Sequence, residues 1–378
     1  MNLMDILVTI KAEDEIAIRE LYEQSFSDSI DFVNYYFKEK FIPERVMAIK
    51  ADGRIASMLH LNPFDVNFNQ KEYSVSYIVA VATAVEYRNK GYMGRLMKEA
   101  LIRLYNEGEV FSLLMPIDSR IYERYGFGFI EDHLKLECDS STFTIEKIEC
   151  QSRLAELKDV PELVNIYQVF SEKFNLATIR NGSSFEKLFK ELQTDKGHIV
   201  MFEDGYMMTY YEDEVLHIRE FVSNTQQALN EMISYIKEET TNGKVVIMDH
   251  MKSPIKYITP NILENIIILK PFMMARIINV ETFLKANCFM FINDIRMKIT
   301  DSLIEANNFV FHINNGEVTK EDTSDFDIEL DIKLLTQLSF GYRKATEIYG
   351  LIESIKNVFK DINIFKDITS NNFFNEYV

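Results

Sequence analysis

The sequence predicts a mixed α+β / α/β protein: two similar α/β units in tandem, the second a decayed copy of the first, then an α+β domain. Three observations predict it. The order hairpin, strand, helix, strand occurs twice, and each hairpin carries an Asp-Gly dipeptide, Asp52-Gly53 and Asp204-Gly205. In the first copy the helix that follows the apolar strand repeats apolar residues at spacings of three and four. The last part of the chain mixes short strand patterns with helical ones and does not repeat that order.

Element by element, helical patterns fill roughly residues 12–40. RVMAIK and IASMLHLNPF alternate about Asp52-Gly53, a hairpin signal. Tyr73–Thr83 is a strand apolar enough to be central. After the loop VEYRNKG, the residues Met93, Leu96, Met97, Ala100, Leu101 and Leu104 form one helix face, and Gly108 stops that helix. VFSLLMP is a strand, and IYERYGF a short helix or turn. In the second unit HIVMFED and YMMTYYE flank Asp204-Gly205, HIREFVSN is a strand, TQQALNEMISYIKEE a helix and KVVIMDH a strand. Its strand-to-helix junction, VSNTQQAL, has neither a glycine loop nor an arginine.

The third unit starts near Phe272. RIINVETFLKA predicts a strand and then a helix capped by Asn279 or a neighbour. CFMFINDIRMKITD and NNFVFHINNGEV predict strand pairs, DFDIELDI alternates, and LLTQLSFGYRKATEIYGLIESI is helical. The expected domains are 1–148, 149–272 and 273–378.

Composition narrows the function. The 378 residues hold 41 Lys plus Arg against 59 Asp plus Glu, a net charge of −18. Such a chain repels nucleic acid and anionic membranes and favours cationic partners. Cys138, Cys150 and Cys288 are too few for a disulfide framework or a Cys-rich zinc site, which fits a reducing cytoplasm. His60, His133, His198, His217, His250 and His312 show no metal-ligand spacing, so no metal is expected. The first residues lack the basic start and small-residue cleavage site of a signal peptide. NILENIIILKPFMMARIINV is interrupted by Glu264, Lys270, Pro271 and Arg276, so it reads as strands and turns rather than a membrane span.

The stretch Arg88-Asn89-Lys90-Gly91-Tyr92-Met93-Gly94 carries the chemistry. It joins a buried strand to an amphipathic helix. A glycine loop entering a helix presents unpaired backbone N–H groups and the positive end of the helix dipole, which binds phosphate. Gly91 and Gly94 allow close approach, and Arg88 and Lys90 add charge. No Gly-Lys-Ser/Thr follows and GxGxxG is absent, which excludes the two commonest nucleotide loops.

That stretch resembles the acyl-coenzyme A loop of the GCN5-related N-acetyltransferase (GNAT) superfamily, Arg/Gln-x-x-Gly-x-Gly/Ala, with Met93 in place of the last small residue and Gly94 next to it. VAVATAVEYRNKGYMGRLM, IYERYGFG, RIINVETFL, LSFGYRKAT and the aromatic-rich tail FFNEYV are, in that order, similar to the enhanced intracellular survival (Eis) family. The resemblance implies an active N-terminal GNAT domain, a degenerate second one and a C-terminal domain like sterol carrier protein, assembled as a hexamer.

It also implies a mechanism: transfer of acetyl from acetyl-coenzyme A to a primary amine of a polyamine, an aminoglycoside or a lysine-like acceptor. Val81, Ala82 and Thr83 would meet the pantetheine arm, and Arg88, Asn89, Lys90, Gly91, Tyr92 and Gly94 the pyrophosphate. Tyr122 matches the family's general acid, with Tyr125 as runner-up. The general base would be the main-chain carboxylate of the last residue, here Val378, where the family more often has an aromatic. Asp28 matches an acidic position of the substrate pocket, and Glu376 lies one residue from another. The alternatives are a coenzyme A- or ligand-binding protein with little turnover, and a transferase using another acyl donor.

Overall fold

The computed structural model describes residues 6–146, 148–240, 243–258, 265–344 and 371–377. The first unit contains β1 (Ile6–Thr9), α1 (Glu15–Ser25), α2 (Ile30–Glu39), β2 (Val46–Ala51), β3 (Arg54–Phe68), β4 (Lys71–Thr83), α3 (Tyr92–Asn106), β5 (Phe111–Leu114), α4 (Ser119–Glu123) and β6 (Gly128–Asp139). The second contains β7 (Arg153–Leu154), α5 (Val160–Ser171), β8 (Leu176–Thr178), α6 (Gly182–Thr194), β9 (His198–Phe202), β10 (Gly205–Glu212), β11 (Val215–Ser223), α7 (Gln226–Glu239) and β12 (Lys244–His250). The third contains β13 (Ile266–Ile277), α8 (Val280–Asn287), β14 (Ile295–Thr300), β15 (Val310–Asn314), β16 (Glu317–Glu321), β17 (Ile328–Asp331), α9 (Ile332–Ser339) and β18 (Asn372–Phe373).

The two repeated units share one sheet, ordered β1-β2-β3-β4-β5-β13-β6-β12-β11-β10-β9-β7, with β8 attached to β3 and β18 to β8. β13 is the joint. It runs antiparallel to β5 through Met274–Ile277 and to β6 from Ile266 to Ala275. It therefore crosses the expected 272/273 boundary and completes the sheet of the first unit. Four other strands of the third unit form a separate sheet, β16-β15-β14-β17. Its packing against the first unit is a shared apolar core, in which the Phe68 and Phe340 rings stack 4.4 Å apart.

The hairpin at Asp52-Gly53 forms with both residues at positive φ, +52° and +77°, the geometry that matches strand twist. Its counterpart differs. Glu203 and Asp204 make the turn, and Gly205 already belongs to β10. A Cβ there would lie 2.6 Å from the Val222 carbonyl, so close strand packing, not turn geometry, demands glycine. The helix after β4 has its buried face at Leu96, Met97, Ala100, Leu101 and Leu104 and ends before Gly108, at φ +80°. The Asn279 side chain caps α8 by accepting from the Thr282 N–H at 3.0 Å. The expected strand at CFMF is instead a single helical turn, Cys288–Met290, that buries Met290 and Phe291 and leaves Phe289 in solvent. Of the helical pattern from Leu334 onward, α9 ends at Ser339 and residues 345–370 lie outside the described residues.

Candidate active site

The site begins where two parallel strands part. β4 and β5 share a single register pair, Tyr77 with Leu113. Beyond it β4 continues to Thr83 beside β3 alone, and the register slips between Met58 and His60. At the slip Ala80 adopts φ +51°, a strained value for a residue with a Cβ and a common mark of functional bulges. Ser57 Oγ donates to the Ala82 carbonyl at 2.8 Å and pairs with Thr83 Oγ1 at 2.8 Å, which fixes this segment from the β3 side. Among the described residues no strand pairs with Val81–Thr83 on the other side.

The loop after β4 leads into α3. Gly91 is the N-cap at φ +79°, with no capping side chain, and the first helical bond is Arg95 N–H to the Gly91 carbonyl at 3.1 Å. A helix entered this way directs its first amides outward. Asn89 sits at φ +63°. Arg88 Nε donates to the Thr83 carbonyl at 3.3 Å, tying the loop to the strand end, and Lys90 Nζ lies 4.7 Å from the Tyr87 ring. Arg88 and Lys90 are exposed. A diphosphate fits this arrangement in charge and in backbone access. Met93 turns toward the apolar core under α3, while a Cβ on Gly94 would lie 3.2 Å from the Tyr125 hydroxyl.

Tyr122 sits on α4, whose N-cap Asp118 accepts from the Arg120 N–H at 3.0 Å. The tyrosine is buried in the same cluster as Val81, Tyr92 and Met93. Burial, with a smaller contribution from Tyr125, pushes its phenol up to about 12, so it stays protonated at neutral pH. The two glycines that follow answer to the third unit. A Cβ on Gly126 would meet Ile332 at 2.6 Å, and one on Gly128 would meet Gln337 at 2.6 Å. Arg276 Nε donates to the Tyr125 carbonyl at 2.6 Å and its Nη2 to Asp301 at 2.6 Å.

A cleft of about 980 Å³ opens where the units meet. Its walls include Asp28, Pro116, His133, Asp195, Arg219 and Tyr377. Asp28 is exposed there and accepts from the Tyr22 hydroxyl at 2.7 Å. The tail that brings Tyr377 to this wall is buried: Phe373 and Phe374 lie in the core, and the Phe374 N–H donates to Glu131 at 2.9 Å. Glu376 does not line the cleft. Its carboxylate receives Arg180 Nε at 2.9 Å and is buried, so it is engaged inside the protein rather than facing an amine. Val378 lies outside the described residues.

Sequence reasoning missed His133, Asp195 and Arg219 as cleft residues. His133 Nε2 is 2.9 Å from Glu131 Oε1, and its ring stacks on Phe272 at 3.6 Å. His133 lies on β6, Arg219 on β11 and Asp195 at the C-terminal end of α6, so only the packing of elements distant in sequence brings them to one cleft. Among the described residues no group of His, Cys, Asp and Glu could hold a metal.

The comparisons with known proteins agree with this geometry. Residues 8–130 match the model of an acetyltransferase (GNAT) domain, and residues 280–367 that of a sterol carrier protein domain. No curated protein is detectably similar in sequence. Among solved structures, a conserved protein of unknown function from Enterococcus faecalis V583, described as a probable N-acyltransferase, is 18% identical, covers 99% of this chain and 100% of its own, and superposes with a TM-score of 0.84. A GCN5-related N-acetyltransferase from Anabaena variabilis is 19% identical, with 99% and 100% coverage and a TM-score of 0.83. Eis1 from Mycobacterium abscessus is 14% identical, with 99% and 100% coverage and a TM-score of 0.78. Residues 8–130 thus form a domain of the acetyltransferase (GNAT) type and residues 280–367 one of the sterol carrier protein type, and the chain as a whole has the fold of these solved structures.

Proposed function

We propose that the protein transfers acetyl from acetyl-coenzyme A to a primary amine of a cationic acceptor: a polyamine, an aminoglycoside or a lysine-like side chain. The observation that carries this reading is the start of α3 at Gly91, with no capping side chain, beside the end of β4, which among the described residues pairs with β3 on one side only, with the buried Tyr122 phenol in the same cluster. Arg88, Asn89, Lys90, Gly91, Tyr92 and Gly94 would hold the diphosphate, and the backbone of Val81, Ala82 and Thr83 the pantetheine arm. When bound, acetyl-coenzyme A supplies the activated acyl carbon.

The residues of the chain then manage protons. An alkyl amine, with a pKa of ~10, enters as an ammonium and must lose a proton before its nitrogen can bond to carbon. Asp28 attracts that ammonium. The main-chain carboxylate of Val378, one residue beyond the cleft residue Tyr377, takes the proton. As the carbon–sulfur bond breaks, Tyr122 gives its hydroxyl proton to the departing sulfur, and the second proton lost from the nitrogen restores the tyrosine hydroxyl. The amide and a thiol result, and one proton passes to solvent.

This reading places the enzyme in the cytoplasm as a homo-oligomer, a hexamer in the manner of its family. The exposed apolar run Ile266–Leu269 supports self-association, because β5 covers β13 only from Met274 onward. Among the described residues no helix is long and apolar enough to cross a membrane.

The test is thiol release from acetyl-coenzyme A across a panel of amines. Turnover with cationic amines that collapses in Tyr122→Phe is the expected result. Tight coenzyme A binding without turnover on any amine would make the protein a binding module, and faster reaction with longer acyl groups would change the donor. A tag appended after Val378 should abolish turnover and spare coenzyme A binding. An unchanged rate in the tagged protein would remove the terminal base.

A further inference from the structure

In the second unit the helix that corresponds to α3, α7, starts with a capping side chain, and buried polar groups converge instead on Asn375 and Glu376. Arg180, which follows β8, is the centre. Its side chain is 1% exposed. Nη1 and Nη2 grip both oxygens of Glu220 at 2.6 and 2.9 Å, Nε reaches Glu376 at 2.9 Å, and Nη2 also reaches the Asn375 carbonyl at 3.4 Å. Glu220 accepts from the Tyr206 hydroxyl at 2.6 Å and from Asn375 Nδ2 at 2.8 Å. The Arg180 guanidinium lies 4.3 Å from the Tyr167 ring.

A second cluster continues toward the cleft. Glu191 binds Lys40 Nζ at 2.7 Å and Arg219 Nη2 at 2.5 Å. Lys40 Nζ also donates to the Tyr377 carbonyl at 3.1 Å, and the Arg219 guanidinium sits 4.7 Å over the Tyr377 ring.

We propose that the second unit acts as a clamp on the chain terminus, with Arg180 as a positioning residue that fixes the register of Asn375, Glu376 and Tyr377 and so delivers the last residue to the cleft. Backbone pairing alone would fix it poorly. β18 pairs with β8 only at Asn372 and Phe373. A slip of one residue would move the end by ~3.3 Å and turn each side chain to the opposite face. A bidentate arginine–carboxylate pair tolerates no such slip. Nor does bulk stability call for these charges, since well-packed apolar side chains do as well.

The delivery half of this proposal rests on the reading that the terminal carboxylate takes the amine proton. The experiment therefore has a readout that is independent of activity. Arg180→Met, Glu376→Gln and the wild type are treated with carboxypeptidase, and loss of the last residues is followed by intact mass. The same proteins are assayed for kcat, KM for the amine, and coenzyme A affinity. Faster release in both variants is expected, with kcat down by as much as about a hundredfold, as for a misplacement of roughly 1 Å. Coenzyme A affinity should be unchanged, a pattern that general destabilisation would not give.

If Arg180→Met does not fold, Glu376→Gln and Asn375→Ala, each milder, carry the test. Arg180→Lys keeps the charge but loses the bidentate grip, and should fall between wild type and Arg180→Met. Release at the wild-type rate in all variants would overturn the clamp. Faster release with unchanged kcat would leave a clamp without catalytic purpose, and would overturn the delivery half together with the terminal base.

Discussion

The two repeated units differ most where a strand hands over to a helix. In the first, β4 leaves β5 after one register pair and α3 starts at Gly91 with no cap. In the second, β11 stays paired with β12 from Leu216 to Ile218, and α7 starts at Thr225, whose hydroxyl accepts from the Ala228 N–H at 3.1 Å. Asn224 Nδ2 donates to the Ile166 carbonyl, and Lys173 Nζ reaches the Ser223 carbonyl, which seals that junction further. In the proposed function one copy offers its helix start to an outside anion, whereas the other caps it with its own side chain.

The largest effect that would sharpen this contrast is on chemistry. Tyr122→Phe should lower kcat by about 10²–10⁴ while coenzyme A still binds, as measured by single-turnover kinetics and calorimetry. Next, Arg88→Ala should weaken coenzyme A binding by about tenfold, the loss of one charge-assisted contact. Lys173→Ala at the sealed junction should leave that affinity alone. If the lysine variant loses coenzyme A as well, the contrast is wrong.

A smaller effect comes from removing the seal itself. Thr225→Ala should cost about 1 kcal/mol in urea unfolding, a lost helix cap, without creating a second coenzyme A site.

The smallest effect concerns acid. Burial alone would raise the Glu191 carboxyl, but Arg219 and then Lys40 outweigh it and hold it at about 2, against an ordinary 4.5. Its folded value lies below the unfolded one, so its stabilisation is complete above 4.5 and is lost as the pH falls toward 2. Urea midpoints measured across that window should drop less steeply in Glu191→Gln.

Local signals in the sequence were faithful wherever the structure is local. The Asp52-Gly53 hairpin, the apolar face of α3, Gly108 and the Asn279 cap all follow from spacing and turn chemistry. Most of the features that fail to show are long-range. Gly128 looks like a turn residue, yet Gln337, far along the chain, demands it, and at Gly126 the crowding of Ile332 adds to a turn φ of +82°. Gly205 resembles the turn glycine of the first unit but is set by the Val222 carbonyl across the strand pair. The acid at Glu376 invites a role with a cationic substrate, and only the fold reveals that Arg180 neutralises it. CFMF has a strand's composition, but its place directly after α8 makes it one more helical turn.

β13 has a consequence for how the protein is made. Among the described residues the first unit's β5 is joined to β6 through a strand that ends at Ile277. A nascent chain emerging from the ribosome therefore cannot close its catalytic half until most of the polypeptide has been synthesised. A fragment cut after the first unit would expose two raw strand edges and aggregate, which makes dissection of this enzyme into independently expressed pieces a poor route to its activity.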